Sequence, residues 1–270
     1  MTGNVHVNRM RESLVQGKPC FGASAAIPHP FAIEQMAKAG VDWVYIDMQH
    51  GLSNLADLAA MFAILKSYGV TPLARVPYEE YSTAQRVLDA GAEGIIFPYI
   101  ESAAEAKRAV DACKYPPIGI RSFGPYWSPY GADISWANSQ ILCFVMIESV
   151  GGLRNVEDIV STPGVDGLFV GPNDLSISMG GGPSMASLYS LASSGNVQAG
   201  DGVAEALKTI TKTALKHGKF VGIQVASGAT AATAFKEGFN YVAVGGDSGF
   251  LQSACEEEVK AARAGVEGTS

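Results

Sequence analysis

The chain has 270 residues, 47% hydrophobic and 17% charged, with a mean hydropathy of +0.14. That is ample apolar material for one large domain spanning 1–270, and it excludes global disorder. A net charge of −7 without any run of Lys and Arg excludes the clustered basic surface that nucleic acid or an anionic membrane requires.

The segment MTGNVHVNRMRESL lacks the apolar stretch of a signal peptide. No run of 18 apolar residues marks a membrane span. Cys20, Cys113, Cys143 and Cys255 lie far apart and form no CxxC pair, and Cys143 reads as a buried thiol. The expectation is a reduced, cytoplasmic protein.

Short apolar runs recur along the chain at Cys20–Ala25, Trp43–Asp47, Thr71–Arg75, Gly94–Pro98, Ile141–Ile147, Gly167–Val170, Phe220–Val225 and Tyr241–Gly245. Runs of this kind fit strands buried on both faces of a parallel sheet. Amphipathic stretches lie between them at Leu55–Tyr68, Thr83–Ala90, Ala103–Cys113, Val203–Lys216 and Ala231–Glu237, several closed by a glycine. Eight such alternations predict an α/β fold, a (β/α)8 TIM barrel. A doubly wound sheet is disfavoured, since the first strand leads into Ala-Ile-Pro-His-Pro rather than a glycine-rich phosphate cradle. Two connections break the rhythm, Tyr115–Asn138 and Gly180–Gly202. The second follows a strand, so it is either a lid over the catalytic face or a solvated loop.

Barrel active sites lie at the C-terminal ends of the strands. Asp47 ends the second run and His50 follows it; Arg75 ends the third, Glu148 follows the fifth, and Asp174 follows the sixth in GPNDLS. Glu148, behind six apolar residues, is paired, caps a helix beginning near Gly151, or binds a metal. Asp174 either caps a short helical turn or joins Glu148. As a pair they form an oxygen-rich site suited to Mg2+ or Mn2+. A carboxylate at Asp47 orienting the His50 ring leaves the other ring nitrogen free as a base; otherwise His50 is a satisfied loop histidine. Arg75 is either salt-bridged to Glu148 or Asp47, or clamps a developing enolate or carboxylate. No lysine ends a predicted strand, which disfavours a Schiff-base mechanism.

The motifs DWVYIDMQHG, PLARVP, VLDAGAEGIIFPYIES, YPPIGIRSFGP, MIES and GVDGLFVGPNDLS follow one another between about Gly17 and Ala262. In content, order and spacing they resemble the HpcH/HpaI family of class II, metal-dependent pyruvate aldolases. The resemblance implies a divalent metal ion (Mg2+, Mn2+ or Co2+) on Glu148 and Asp174, a His50–Asp47 dyad, and Arg75 as the catalytic arginine. It further implies that the backbone at Gly171, Pro172 and Asn173 holds the pyruvate carboxylate, and that Asp89 approaches a neighbouring subunit's site. Arg121, in GIRSFGP, is expected either to bind a distal substrate carboxylate or to hold its loop together. A homo-oligomer is implied, a hexamer arranged as a trimer of dimers that exchange a last helix at Asp247–Arg263.

The implied reaction is reversible aldol cleavage of a 4-hydroxy-2-oxo acid to pyruvate and an aldehyde, through a metal-stabilised enolate. The substrate partners are then a small 2-oxo acid and an aldehyde. Oxaloacetate decarboxylation at the same site is the alternative; a non-catalytic binding module or cleavage of a malyl-CoA-type thioester ranks lower. This chain departs from the family in Met146, where Gln is frequent, in Gln49, where Glu is frequent, and in a longer 180–202 connection.

Overall fold

The computed structural model describes residues 6–124, 132–183 and 201–267. Part of the first long connection and most of the second lie outside them, including the segment expected as a lid. Eight parallel strands close into a barrel in sequence order: β1 Cys20–Ala25, β2 Trp43–Asp47, β3 Thr71–Arg75, β4 Gly94–Phe97, β5 Leu142–Ile147, β6 Gly167–Val170, β7 Phe220–Gln224 and β8 Tyr241–Gly246. The barrel expected from the alternation of apolar runs is therefore present, and each strand lies within a residue of its run. Helices return the chain from each strand to the next, among them Leu55–Ser67, Tyr81–Asp89, Ala103–Cys113, Asp201–Lys216 and Gly228–Lys236. The first of these is followed by Gly69 at φ +75° and the last by Gly238 at φ +96°, the left-handed conformation that stops a helix cheaply only at glycine.

Side chains alternate between two cores. Outward-facing residues such as Val44, Ile46, Ala74, Ile95, Val145 and Leu168 pack beneath the helices. Inward-facing residues fill the lumen: Trp43, Tyr45, Leu73, Ile96, Phe144, Phe169 and Tyr241 belong to a second cluster. The rings of Phe144 and Tyr241 stack at 4.6 Å, and Tyr45 meets Phe169 edge-on at 6.0 Å. A short helix, Arg9–Val15, which the sequence reading did not anticipate, closes the N-terminal end of the lumen with Met10 and Leu14. Its N-cap, Asn8, donates from Nδ2 to the carbonyls of Glu93 and Gln140 at 3.1 and 3.0 Å, which ties the plug to the strand starts.

One buried lysine sits at this same end. Lys114 Nζ donates to the carbonyls of Asn138 and Ile141 and pairs with Asp166 at 3.1 Å. It lies where β5 and β6 begin, at the opposite end of the barrel from the strand termini that carry chemistry.

Glycines make room for the large lumen rings. A methyl group on Gly22 would run into the Trp43 indole, and one on Gly222 into the Tyr241 ring. Both rings are fully buried and have nowhere to move. Gly222→Ala is expected to lower unfolding free energy by about 1–3 kcal/mol. Gly228→Ala, at a helix start with open space around it, should stay within about 0.5 kcal/mol. Denaturant midpoints for the two variants check this; equal shifts would refute the packing argument.

Candidate active site

The C-terminal ends of β2, β3, β5 and β6 surround a cavity of about 250 Å³. His50, Arg75, Glu148, Gly171, Pro172, Asn173 and Asp174 line it, together with Tyr45, Met146, Phe169 and Gln224. Seven of the residues expected from the sequence thus meet in one place. The parallel topology requires it, because every strand end faces the same mouth.

Asp47 and Arg75 occupy paired positions on adjacent strands, and their side chains meet in a fork. Arg75 Nε donates to Asp47 Oδ1 at 3.0 Å and Nη2 to Oδ2 at 2.5 Å. The backbone N–H groups of Gln49 and His50 donate to Asp47 Oδ1 at 3.0 and 3.2 Å. Burial pushes the Asp47 carboxyl up, but Arg75 and these N–H groups bring it below the ordinary carboxylate value. The expected His50–Asp47 dyad needs correcting on this point: the carboxylate holds His50 through the backbone N–H, while its other bonds come from the Gln49 N–H and from Arg75. His50 itself lines the cavity beside them.

Glu148 is in the opposite situation. It is buried at 3% exposure, and burial followed by the Asp174 charge pushes its pKa up to about 7, against the pull of the Tyr99 N–H and Arg75. Tyr99 N–H donates to Glu148 Oε1 at 2.7 Å. Tyr99 takes a left-handed φ of +56°, uncommon for a non-glycine residue, and at that turn its N–H meets the carboxylate. Glu148 does not cap the next helix, as one reading allowed; that helix, Val150–Arg154, is capped by Ser149, whose hydroxyl accepts from Gly152 N–H at 3.0 Å. A side chain on Gly171 would collide with Glu148 Oε2, so this glycine keeps the second oxygen clear.

Asp174 stands in the first turn of the helix Pro172–Ser178. Gly171 N–H is already bonded to the Ile147 carbonyl at 3.3 Å, and Pro172 has no N–H. The groups with no carbonyl to bond in a first helical turn are those of Asn173 and Asp174. Of the segment expected to receive a carboxylate, Asn173 thus offers a free N–H, as does Asp174 beside it, while Gly171 and Pro172 offer none.

The other two expected residues lie elsewhere. The Arg121 side chain is wholly buried, pairs with Asp89 at 2.7 Å, and stacks over the Tyr115 ring at 4.8 Å. It anchors its loop in this way and does not line this cavity. Asp89 sits at the end of Tyr81–Asp89, half-buried against this arginine. Tyr45 and Gln224 were missed by the sequence reading. Gln224 ends β7, so the strand-end rule applied to amides as well as charges would have found it.

The donor set fits a hard divalent cation. Two carboxylates from neighbouring strands supply only oxygen, one of them buried and raised by the other's charge, and the chemistry of such a pair is that of Mg2+ or Mn2+. Among the described residues no cluster of three His, Cys, Asp or Glu could hold a metal by itself, so substrate and water oxygens would complete the shell. Because the Glu148 pKa is raised from its ordinary 4.5 to about 7, its protonated form favours folding. The stability it gives is complete below pH 4.5 and is lost as pH rises through 7. In EDTA, the wild type should lose about 3 kcal/mol relative to Glu148→Gln over that interval. Denaturation at several pH values checks this, and parallel profiles would contradict it.

Comparison with known proteins agrees with this geometry. Residues 23–254 match the family model for HpcH/HpaI aldolase/citrate lyase. The hydroxypyruvate/pyruvate aldolase of Rhizorhabdus wittichii is 32% identical over 96% of this chain and 100% of its own. The 5-keto-4-deoxy-D-glucarate aldolase of Shigella sonnei is 32% identical over 95% of this chain and 97% of its own. The solved structure of an HpcH/HpaI aldolase/citrate lyase family protein from Burkholderia cenocepacia superposes with a TM-score of 0.84 at 29% identity, over 95% of this chain and 100% of that one. With an eight-stranded barrel and this extent of match, the chain belongs to the HpcH/HpaI aldolase/citrate lyase family, and it is an aldolase, a carbon–carbon lyase.

Proposed function

We propose that the protein catalyses reversible, metal-dependent aldol cleavage of 4-hydroxy-2-oxo acids to pyruvate, or a close 2-oxo acid, and an aldehyde. The observation that carries this reading is the buried Glu148 carboxylate, raised by burial and then by Asp174, in a cavity that also holds Asp174, Arg75 and His50. The family's general dependence on a divalent metal supports it, as do the aldolase activities of the two named relatives.

Glu148 and Asp174 would hold the cation. When bound there, it supplies a Lewis acid that polarises the 2-oxo group and lowers the energy of the enolate. Asn173 and Asp174 N–H groups receive the acid's carboxylate at the helix start. His50 takes the proton of the 4-hydroxyl, directly or through a water, as the C3–C4 bond breaks. That bond's electron pair passes into the C2–C3 enolate, the aldehyde departs, and protonation at C3 completes the 2-oxo acid. Arg75, held in place by Asp47, presents its guanidinium to the developing negative charge. A cavity of about 250 Å³ suits a substrate of a few carbons.

Assembly into a homo-oligomer, a hexamer by the family resemblance, belongs to the same proposal. The last helix, Asp247–Glu267, is anchored at its start, where Asp247 accepts from the N–H groups of Ala26 and Ile27 at 2.9 Å each. From Ser248 to Val266 it is exposed, with Phe250, Leu251 and Val259 open to solvent. Exchange of this helix between subunits would cover them. No described helix is long and apolar enough to cross a membrane, and we place the enzyme in the cytoplasm.

The test is pyruvate release from a simple 4-hydroxy-2-oxo acid in EDTA, then with added Mg2+, Mn2+ or Co2+. Activity should vanish with chelator and return with metal. Glu148→Ala should abolish the metal-dependent turnover while the far-UV spectrum is retained. Arg75→Lys should lower kcat about 10²-fold or more, because a point charge replaces a planar fork. Turnover indifferent to EDTA would overturn the metal assignment, and near-normal kcat in Arg75→Lys would overturn the role of Arg75.

A further inference from the structure

One wall of the cavity is made by residues that the aldol mechanism does not use. Tyr45 on β2 donates its hydroxyl to Oε1 of Gln224 on β7. Gln224 Nε2 donates to Ser24 Oγ on β1 at 3.4 Å, and the Ser24 hydroxyl donates to the Gly245 carbonyl on β8 at 3.3 Å. Side chains from three strands and the backbone of a fourth therefore form one chain of hydrogen bonds along the side of the site.

The backbone is arranged to permit this chain. The β1–β8 register shifts between Gly22 and Ser24, an irregularity of the kind that re-aims a side chain near a site. A Cβ on Gly246 would occupy the place of Ser24 Oγ. Tyr45 is fully buried, and burial pushes its hydroxyl up to about 12, so at working pH it keeps its proton and remains a donor.

The direction of the chain fixes the amide. With the Ser24 hydroxyl directed to the Gly245 carbonyl, Gln224 faces Ser24 with Nε2 and receives the Tyr45 proton on Oε1. One of the two Nε2 hydrogens is used by Ser24. Among the described residues the second has no acceptor, and Gln224 lines the cavity that holds Arg75, Glu148 and Asp174. A fixed N–H donor in a confined, partly apolar wall beside Phe169 and Met146 favours an oxygen of the bound molecule over a methyl group, since an unsatisfied donor is costly to bury.

Building on the aldolase reading, we propose that Gln224 is a specificity-determining residue that selects a hydroxylated substrate, with Tyr45 and Ser24 as its positioning residues. The group recognised is a hydroxyl outside the oxygens that face Glu148, Asp174 and Arg75. It is carried either by the carbon next to the 2-oxo group or by the aldehyde component.

The experiment compares condensation rates for matched pairs on the metal-loaded enzyme. Hydroxypyruvate is set against pyruvate with one aldehyde, and glycolaldehyde against acetaldehyde with one 2-oxo acid. The wild type should prefer the hydroxylated member of one pair, and that pair identifies which component carries the hydroxyl. Gln224→Leu, similar in volume, should lower kcat/KM for that member about 10- to 100-fold and leave the alkyl member within a few-fold. Tyr45→Phe, which frees the amide without removing it, should reduce the same preference by a smaller factor. A uniform loss on both members in both variants would overturn the specificity role and leave the aldolase reading standing. Absence of metal-dependent condensation with every pair in the wild type would overturn both.

Discussion

Four donors converge on the Asp47 carboxylate, two from the Arg75 guanidinium and two from the backbone of Gln49 and His50. Without that carboxylate, Arg75 would be a buried cation lacking its partner, a costly state in a low-dielectric setting. The turn that carries His50 would also lose both N–H acceptors at its start. The pair joins β2 to β3 in register, so the same contact that orders the turn also orients the guanidinium. The remaining chemistry at the mouth is arranged around a cation whose position is already fixed.

The contrast with Glu148 shows how one barrel gives two carboxylates opposite behaviour. Asp47 is saturated with donors and held charged. Glu148 has one backbone N–H, a buried setting and an anionic neighbour. Its charge is incompletely balanced by protein, and that imbalance would favour the divalent cation of the proposed mechanism. Gly171 belongs to the same arrangement, because any side chain there would reach the oxygen that must stay open.

Much of this was readable before any coordinates. Apolar runs without charge mark strands buried on both sides, and a charged residue at the end of such a run stands out because burial there demands a reason. Asp47, Arg75, Glu148 and Asp174 were visible on that ground. Other features rest on information that a run of letters does not carry. Whether Glu148 or Ser149 caps the following helix depends on a one-residue phase. Whether Asp47 bonds the ring or the backbone of His50 depends on the turn between them. Arg121 was ambiguous because a guanidinium that anchors a loop and one that binds an acid look alike in sequence. The helix Arg9–Val15 escaped because seven residues with two buried side chains give too short a period to read. Gln224 and Tyr45 escaped for a different reason, since neutral polar groups on strands raise no alarm until their partners, far away in sequence, are seen beside them.

The filled lumen has a consequence for traffic. Trp43, Phe144 and Tyr241 occupy the middle of the barrel, and Met10 and Leu14 stop its far end, so the cavity is a blind well with its floor in the protein. Molecules reach it and leave it from the side of the strand termini. A component seated against the floor would have to arrive before one seated above it and depart after it. Any order imposed in this way would come from the packing of the barrel rather than from a group that takes part in the chemistry.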